Sequence, residues 1–111
     1  DTGRKPSEML LATLAACQEV TYRLYADALS IPLNEVRVEL RGVQDLRGVL
    51  GVKKNIAAGF QEVRGSVYLD STASDAELER LRQTVEQHCP VLDDLRRPVD
   101  VEIEMRRGSK I

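Results

Sequence analysis

A long apolar helix at the start of this chain leaves few folds open to it. Pro6 suits a first helical turn, where its missing N–H would have no partner anyway. From Ser7 to about Leu29 the residues suit a helix. Leu10, Leu14, Cys17, Thr21, Leu24 and Ala28 recur at three- and four-residue steps and predict one buried stripe. Leu11, Ala12 and Ala15 thicken it until the first half is apolar nearly all round. Such a helix is buried centrally or against another subunit, and Ala12, Ala15 and Ala16 let a second backbone come close.

The chain has 111 residues, the size of one small domain, so a single domain over residues 1–111 is expected. A net charge of −2 with scattered Lys and Arg, and an aromatic content of 4%, argue against nucleic acid as a partner. The longest apolar stretch, Met9 to Cys17, falls well short of the roughly 20 residues a membrane span needs. No signal peptide is visible, and two cysteines without one suggest the reducing cytoplasm.

Beyond the first helix, Ser30-Ile31-Pro32 is a stop. Val36, Val38 and Leu40 alternate with Arg37, Glu39 and Arg41, the period of a half-buried strand. Asp45 to Gly59 reads as a loop with a short helical turn. A second strand follows in Val63, Val67 and Leu69 against Arg64, Ser66 and Tyr68, with Gly65 marking a bulge or a close backbone approach. Ser74 and Glu77 fit a capping box, and the helix they open puts Leu78, Leu81, Val85 and Cys89 on one stripe. Pro90 interrupts it, with one or two further turns over Val91 to Arg97. Val99, Val101, Ile103 and Met105 alternate with Asp100, Glu102, Glu104 and Arg106 as a third strand. The expected class is α+β in the order α-β-β-α-β, with three strands sharing one wet face.

Cys17 and Cys89 are the whole cysteine inventory. Cys89-Pro90 places a thiol where a new helix begins, and free N–H groups there favour thiolate. Cys17 has no such help from its own helix, and apolar neighbours would raise its pKa unless something positive reaches it. Taken alone, a cysteine in an alanine-rich helix more commonly serves as a small hydrophobe. His88 could be a base, yet helical neighbours point about 100° apart, which sends it towards solvent. Two cysteines and one adjacent histidine do not make a four-ligand zinc site.

The run Pro6-Ser7-Glu8-Met9-Leu10-Leu11-Ala12-Thr13-Leu14-Ala15-Ala16-Cys17, followed by Cys89-Pro90-Val91, resembles the osmotically inducible protein C / organic hydroperoxide resistance (OsmC/Ohr) family. The likeness spans essentially the whole chain, including Leu46-Arg47-Gly48-Val49-Leu50-Gly51. It implies two central helices packed against a curved antiparallel sheet, with the family's N-terminal strands missing from the sequence given. It also implies a thiol-dependent peroxidase needing neither metal nor organic cofactor. By the resemblance Cys17 attacks an organic hydroperoxide, or secondarily hydrogen peroxide, and becomes a sulfenic acid. Cys89 then resolves it to a disulfide, which an external dithiol reduces. The family activates its attacking thiol with an arginine from a preceding strand, held by a glutamate just after the helix-opening proline. Here Ser7 follows Pro6, and Glu8 is the candidate for that glutamate.

Glu8 and Cys17 lie nine residues apart, about 13 to 14 Å along a helix and on opposite faces. Glu8 is therefore expected to act across a subunit interface, in keeping with the homodimer and interfacial active sites that the resemblance implies. Two rival readings stand beside this one. One is a non-enzymatic module of the same fold that holds a small apolar ligand; the other is a fragment with both thiols inert.

Overall fold

The computed structural model describes residues 5–108. Its elements run α1 (Pro6–Ala28), β1 (Glu35–Gln44), α2 (Leu46–Leu50), β2 (Phe60–Asp70), α3 (Asp75–His88) and α4 (Pro90–Arg96). Strands β1 and β2 form a two-stranded antiparallel sheet that pairs Val36 with Leu69, Val38 with Val67 and Leu40 with Gly65. Helix α1 lies against β1 on one side and against α3 and α4 on the other.

Local chemistry explains most boundaries. The Glu8 carboxylate accepts from the Lys5 backbone N–H at the head of α1, and the Ser7 hydroxyl meets the Gln44 side chain at 3.0 Å, tying that head to the end of β1. Helix α2 is the short turn expected between the strands, capped by Asp45, which accepts from Arg47 N–H, and ended by Gly51 at φ 67°. Helix α3 opens on the reciprocal bonds of Ser74 and Glu77, the capping box read from the sequence. Gly65 is the close approach rather than the bulge: a Cβ there would lie 2.2 Å from the Glu39 carbonyl oxygen, and the register shift falls instead between Val43 and Gln44.

The core gathers Tyr22, Ala26, Ile31, Val36, Leu81, Val85 and Cys89, and the last three are fully enclosed. Leu81, Val85 and Cys89 fall on the stripe expected for α3. On α1 the stripe differs. Its buried residues are Leu14, Gln18, Thr21, Tyr22 and Ala26, while Leu10 and Leu24 from the expected stripe stay exposed, as does Val20. The strictly four-residue spacing of Leu14, Gln18, Tyr22 and Ala26 sets the face, and two polar-ended side chains occupy it.

The third strand does not form. Residues 98–107 have no regular structure, and Val101, Ile103 and Met105 are exposed at 71%, 87% and 91%. Alternation selects which face of a strand would be buried, but a strand also needs a neighbour for its N–H and C=O groups. The segment pairs with neither β1 nor β2, although each of them keeps one open edge. Among the described residues the order is therefore α-β-α-β-α-α, a mixed helix and sheet fold with four helices and two strands.

Candidate active site

Helix α1 holds Cys17 mid-length, while Cys89 ends α3 and begins α4. The fold closes the 72 residues between them and sets the two Sγ atoms 3.3 Å apart. A covalent S–S bond is about 2.05 Å, so this is a contact between two free thiols. Their exposures differ. Cys89 is fully enclosed, while Cys17 is half-buried and reaches the surface.

The first turn of α4 serves both sulfurs. Burial pushes the Cys17 thiol up, against a backbone N–H from Val91 and the Thr21 hydroxyl, and it remains above the ordinary thiol value. Burial also pushes Cys89 up, but hydrogen bonds from Leu92 N–H, Cys17, Gln18 and Thr21 outweigh it and hold Cys89 below the ordinary value. The orphan N–H groups of a helix start thus supply the positive end of a dipole where a charged side chain was expected. Gln18 is 6% exposed, and its Nε2 meets no nitrogen or oxygen partner; the amide is left facing sulfur.

Cys17 forms part of the floor of an open apolar groove of ≈ 480 Å³. Ala16, Val20 and Leu24 from α1, with Pro90 and Val91 from α4, make its walls. At one end the Tyr25 and His88 rings meet, with centroids 5.2 Å apart and planes tilted by 40°. His88 Nδ1 lies 2.8 Å from the Thr84 carbonyl oxygen. His88 is exposed, as its place on the helix suggested, yet it borders the groove that holds Cys17.

The structure thus brings Cys17 and Cys89 together and leaves Glu8 at the far end of α1, where its carboxylate caps Lys5. Sequence reasoning missed Gln18 and Tyr25. Both sit on α1 near Cys17, but nothing local shows which face α3 and α4 will cover. Among the described residues no helix is long and apolar enough to cross a membrane, and no three His, Cys, Asp or Glu side chains cluster as they would around a metal ion.

Comparison with known proteins bears on the family and the fold. The family model described as OsmC-like protein matches residues 1–104. Among solved structures, the fold is similar to an OsmC like protein from Mycoplasma pneumoniae, with 25% identity, a TM-score of 0.75 and coverage of 86% of this chain and 64% of that one. It is similar also to an organic hydroperoxide resistance protein OsmC from Legionella pneumophila, with 21% identity, a TM-score of 0.68 and coverage of 86% and 64%. The organic hydroperoxide resistance protein OhrB of Bacillus subtilis follows at 21% identity and a TM-score of 0.56, covering 96% and 73%. The chain thus spans 64% of the length of the first two structures. The search of curated proteins finds no match. With the family model matching nearly its full length, the chain belongs to the OsmC-like protein family.

Proposed function

We propose that this protein is a thiol-dependent peroxidase acting on organic hydroperoxides. The observation that carries the reading is the pair itself: Cys17 opens onto an apolar groove, and Cys89 waits 3.3 Å behind it, away from solvent. A hydroperoxide with an apolar tail lies in the groove with its O–O bond over Cys17 Sγ. Thiolate attack on the terminal oxygen breaks the O–O bond, leaving a Cys17 sulfenic acid and releasing an alcohol. Cys89 Sγ then attacks the sulfenic sulfur, water leaves, and a disulfide forms. An external dithiol is oxidised as it returns both cysteines to thiols. The cytoplasm, where such reductants are kept, suits two free thiols.

The working unit in this reading is a homodimer. The chain exposes 8903 Å², against about 6,100 Å² for a compact monomer of 12.4 kDa. Its radius of gyration is 18.2 Å, where about 13 Å is usual at this length. Met9 and Leu10, at the head of α1 and away from the groove, are exposed apolar residues that a second copy would cover. Glu8 then serves the partner's thiol pair rather than its own.

The test is a thiol titration before and after equimolar cumene hydroperoxide. Wild type should lose both thiols and Cys89→Ser one, trapped by dimedone as a sulfenic acid; Cys17→Ser should lose none. Survival of both wild-type thiols, or peroxide turnover in Cys17→Ser, sinks the reading. Sedimentation equilibrium should return twice the 12.4 kDa chain mass.

A further inference from the structure

Of the residues lining the groove over Cys17, only Cys17, Tyr25 and His88 carry titratable side chains. The first step of the proposed reaction needs two proton movements: one off the attacking thiol and one onto the departing alkoxide. A protonated phenol such as that of Tyr25 offers only a weakly basic oxygen as a proton acceptor. His88 is the sole histidine of the chain, and it borders the groove through a ring whose orientation is set from two sides. The Thr84 carbonyl can only accept, so Nδ1 must be the nitrogen carrying hydrogen at that 2.8 Å contact. Tyr25 packs against the ring at 5.2 Å. With Nδ1–H engaged, the neutral ring has its free lone pair on Nε2, which has no hydrogen-bond partner among the described residues.

We propose that His88 is a further catalytic residue of this site, whose Nε2 takes the proton leaving Cys17 and returns it to the alkoxide when the O–O bond breaks. The inference rests on the peroxidase reading above. The step balances as Cys17–SH + ROOH → Cys17–SOH + ROH. The thiol proton passes to Nε2, and Sγ forms its bond to the terminal hydroperoxide oxygen, which keeps its own hydrogen. The electron pair of the O–O bond leaves on RO⁻, and RO⁻ takes the proton from Nε2–H. Histidine ends the step neutral, and peroxide is the only oxidant. The Thr84 bond holds the same tautomer throughout, so each turnover begins with Nε2 free.

The experiment follows release of cumyl alcohol from cumene hydroperoxide in a single turnover of the full chain. In His88→Ala the rate constant should fall about 100-fold or more, the usual contribution of a positioned acid–base group, and imidazole added to solution should restore much of it through the open groove. His88→Asn retains a donor for the Thr84 carbonyl but loses Nε2, and it should be as slow as His88→Ala. Three results overturn the role of His88 alone: a His88→Ala rate within threefold of wild type, recovery of the rate in His88→Asn, or a loss in His88→Ala that imidazole leaves unchanged. A wild-type chain that releases no cumyl alcohol overturns the peroxidase reading and the role of His88 with it.

Discussion

The helical half of this molecule and its C-terminal segment obey the same hydrophobic patterning and end up in opposite states. Where α1, α3 and α4 meet, Leu81, Val85 and Cys89 are fully enclosed, and the capping box closes the head of α3. Residues 99–105 alternate as regularly as any strand in the chain, yet their apolar side chains face solvent. A helix satisfies its backbone within itself and needs a neighbour only for one face, whereas a strand needs a neighbour for its backbone as well. Patterning is sufficient for the first and only permissive for the second.

Four measurements break or sharpen that contrast. The largest effect belongs to the enclosed half: Leu81→Ala removes a side chain with 0% exposure and should cost about 3 kcal/mol in urea unfolding. Ile103→Ala, at 87% exposure, should move the same transition by less than about 0.5 kcal/mol. Equal costs for the two would mean that the segment is covered in solution. Next comes the sheet. Gly65→Ala forces a Cβ to 2.2 Å from the Glu39 carbonyl oxygen, and β1 and β2 must part to admit it. The expected cost is about 2 kcal/mol, with loss of amide-exchange protection along both strands. Ser74→Ala deletes the N-cap of α3 and should cost about 1 kcal/mol by thermal unfolding.

The smallest effect is the pH dependence of the thiol pair. Cys89 is held below the ordinary thiol value of 9.0 and Cys17 above it, so ¹³Cβ shifts of the two cysteines should titrate in two steps on either side of 9.0. A folded-state pKa held down adds stability as pH rises through it, because the unfolded chain then binds more protons. A folded-state pKa held up removes stability once pH passes the unfolded value. Stability should therefore climb towards pH 9.0 from just below and fall above it. Merging of the two steps into one would show that the sulfurs do not share the α4 N–H groups.

Much of this was legible beforehand because it is local. Pro6, the Ser74–Glu77 box, the Val36-Val38-Leu40 alternation and the Leu81-Val85-Cys89 stripe each announce an element from a few neighbouring residues. The contact between Cys17 and Cys89 was expected from family resemblance alone, since nothing in a span of 72 residues encodes it locally. The buried face of α1 differs from the expected stripe because hydropathy favours Leu10 and Leu24 over Gln18 and Tyr22. The deciding factor is where α3 and the sheet lie, and Gln18 is covered because its amide can face a sulfur. The place of His88 beside the groove depends on Tyr25, which a sequence separation of 63 residues hides.

One residue, Cys89, closes α3 and opens α4. Its sulfur therefore rides on the joint between two levers. Drawing it from 3.3 Å to bonding distance of Cys17 loads that joint. The only side-chain ion pair that crosses from α4 to α3 among the described residues joins Arg96 to Glu86 at 3.0 Å, and it lies at the outer end of the α4 arm. In the proposed reaction, closing the disulfide is thus felt at the foot of the arm that carries this surface ion pair.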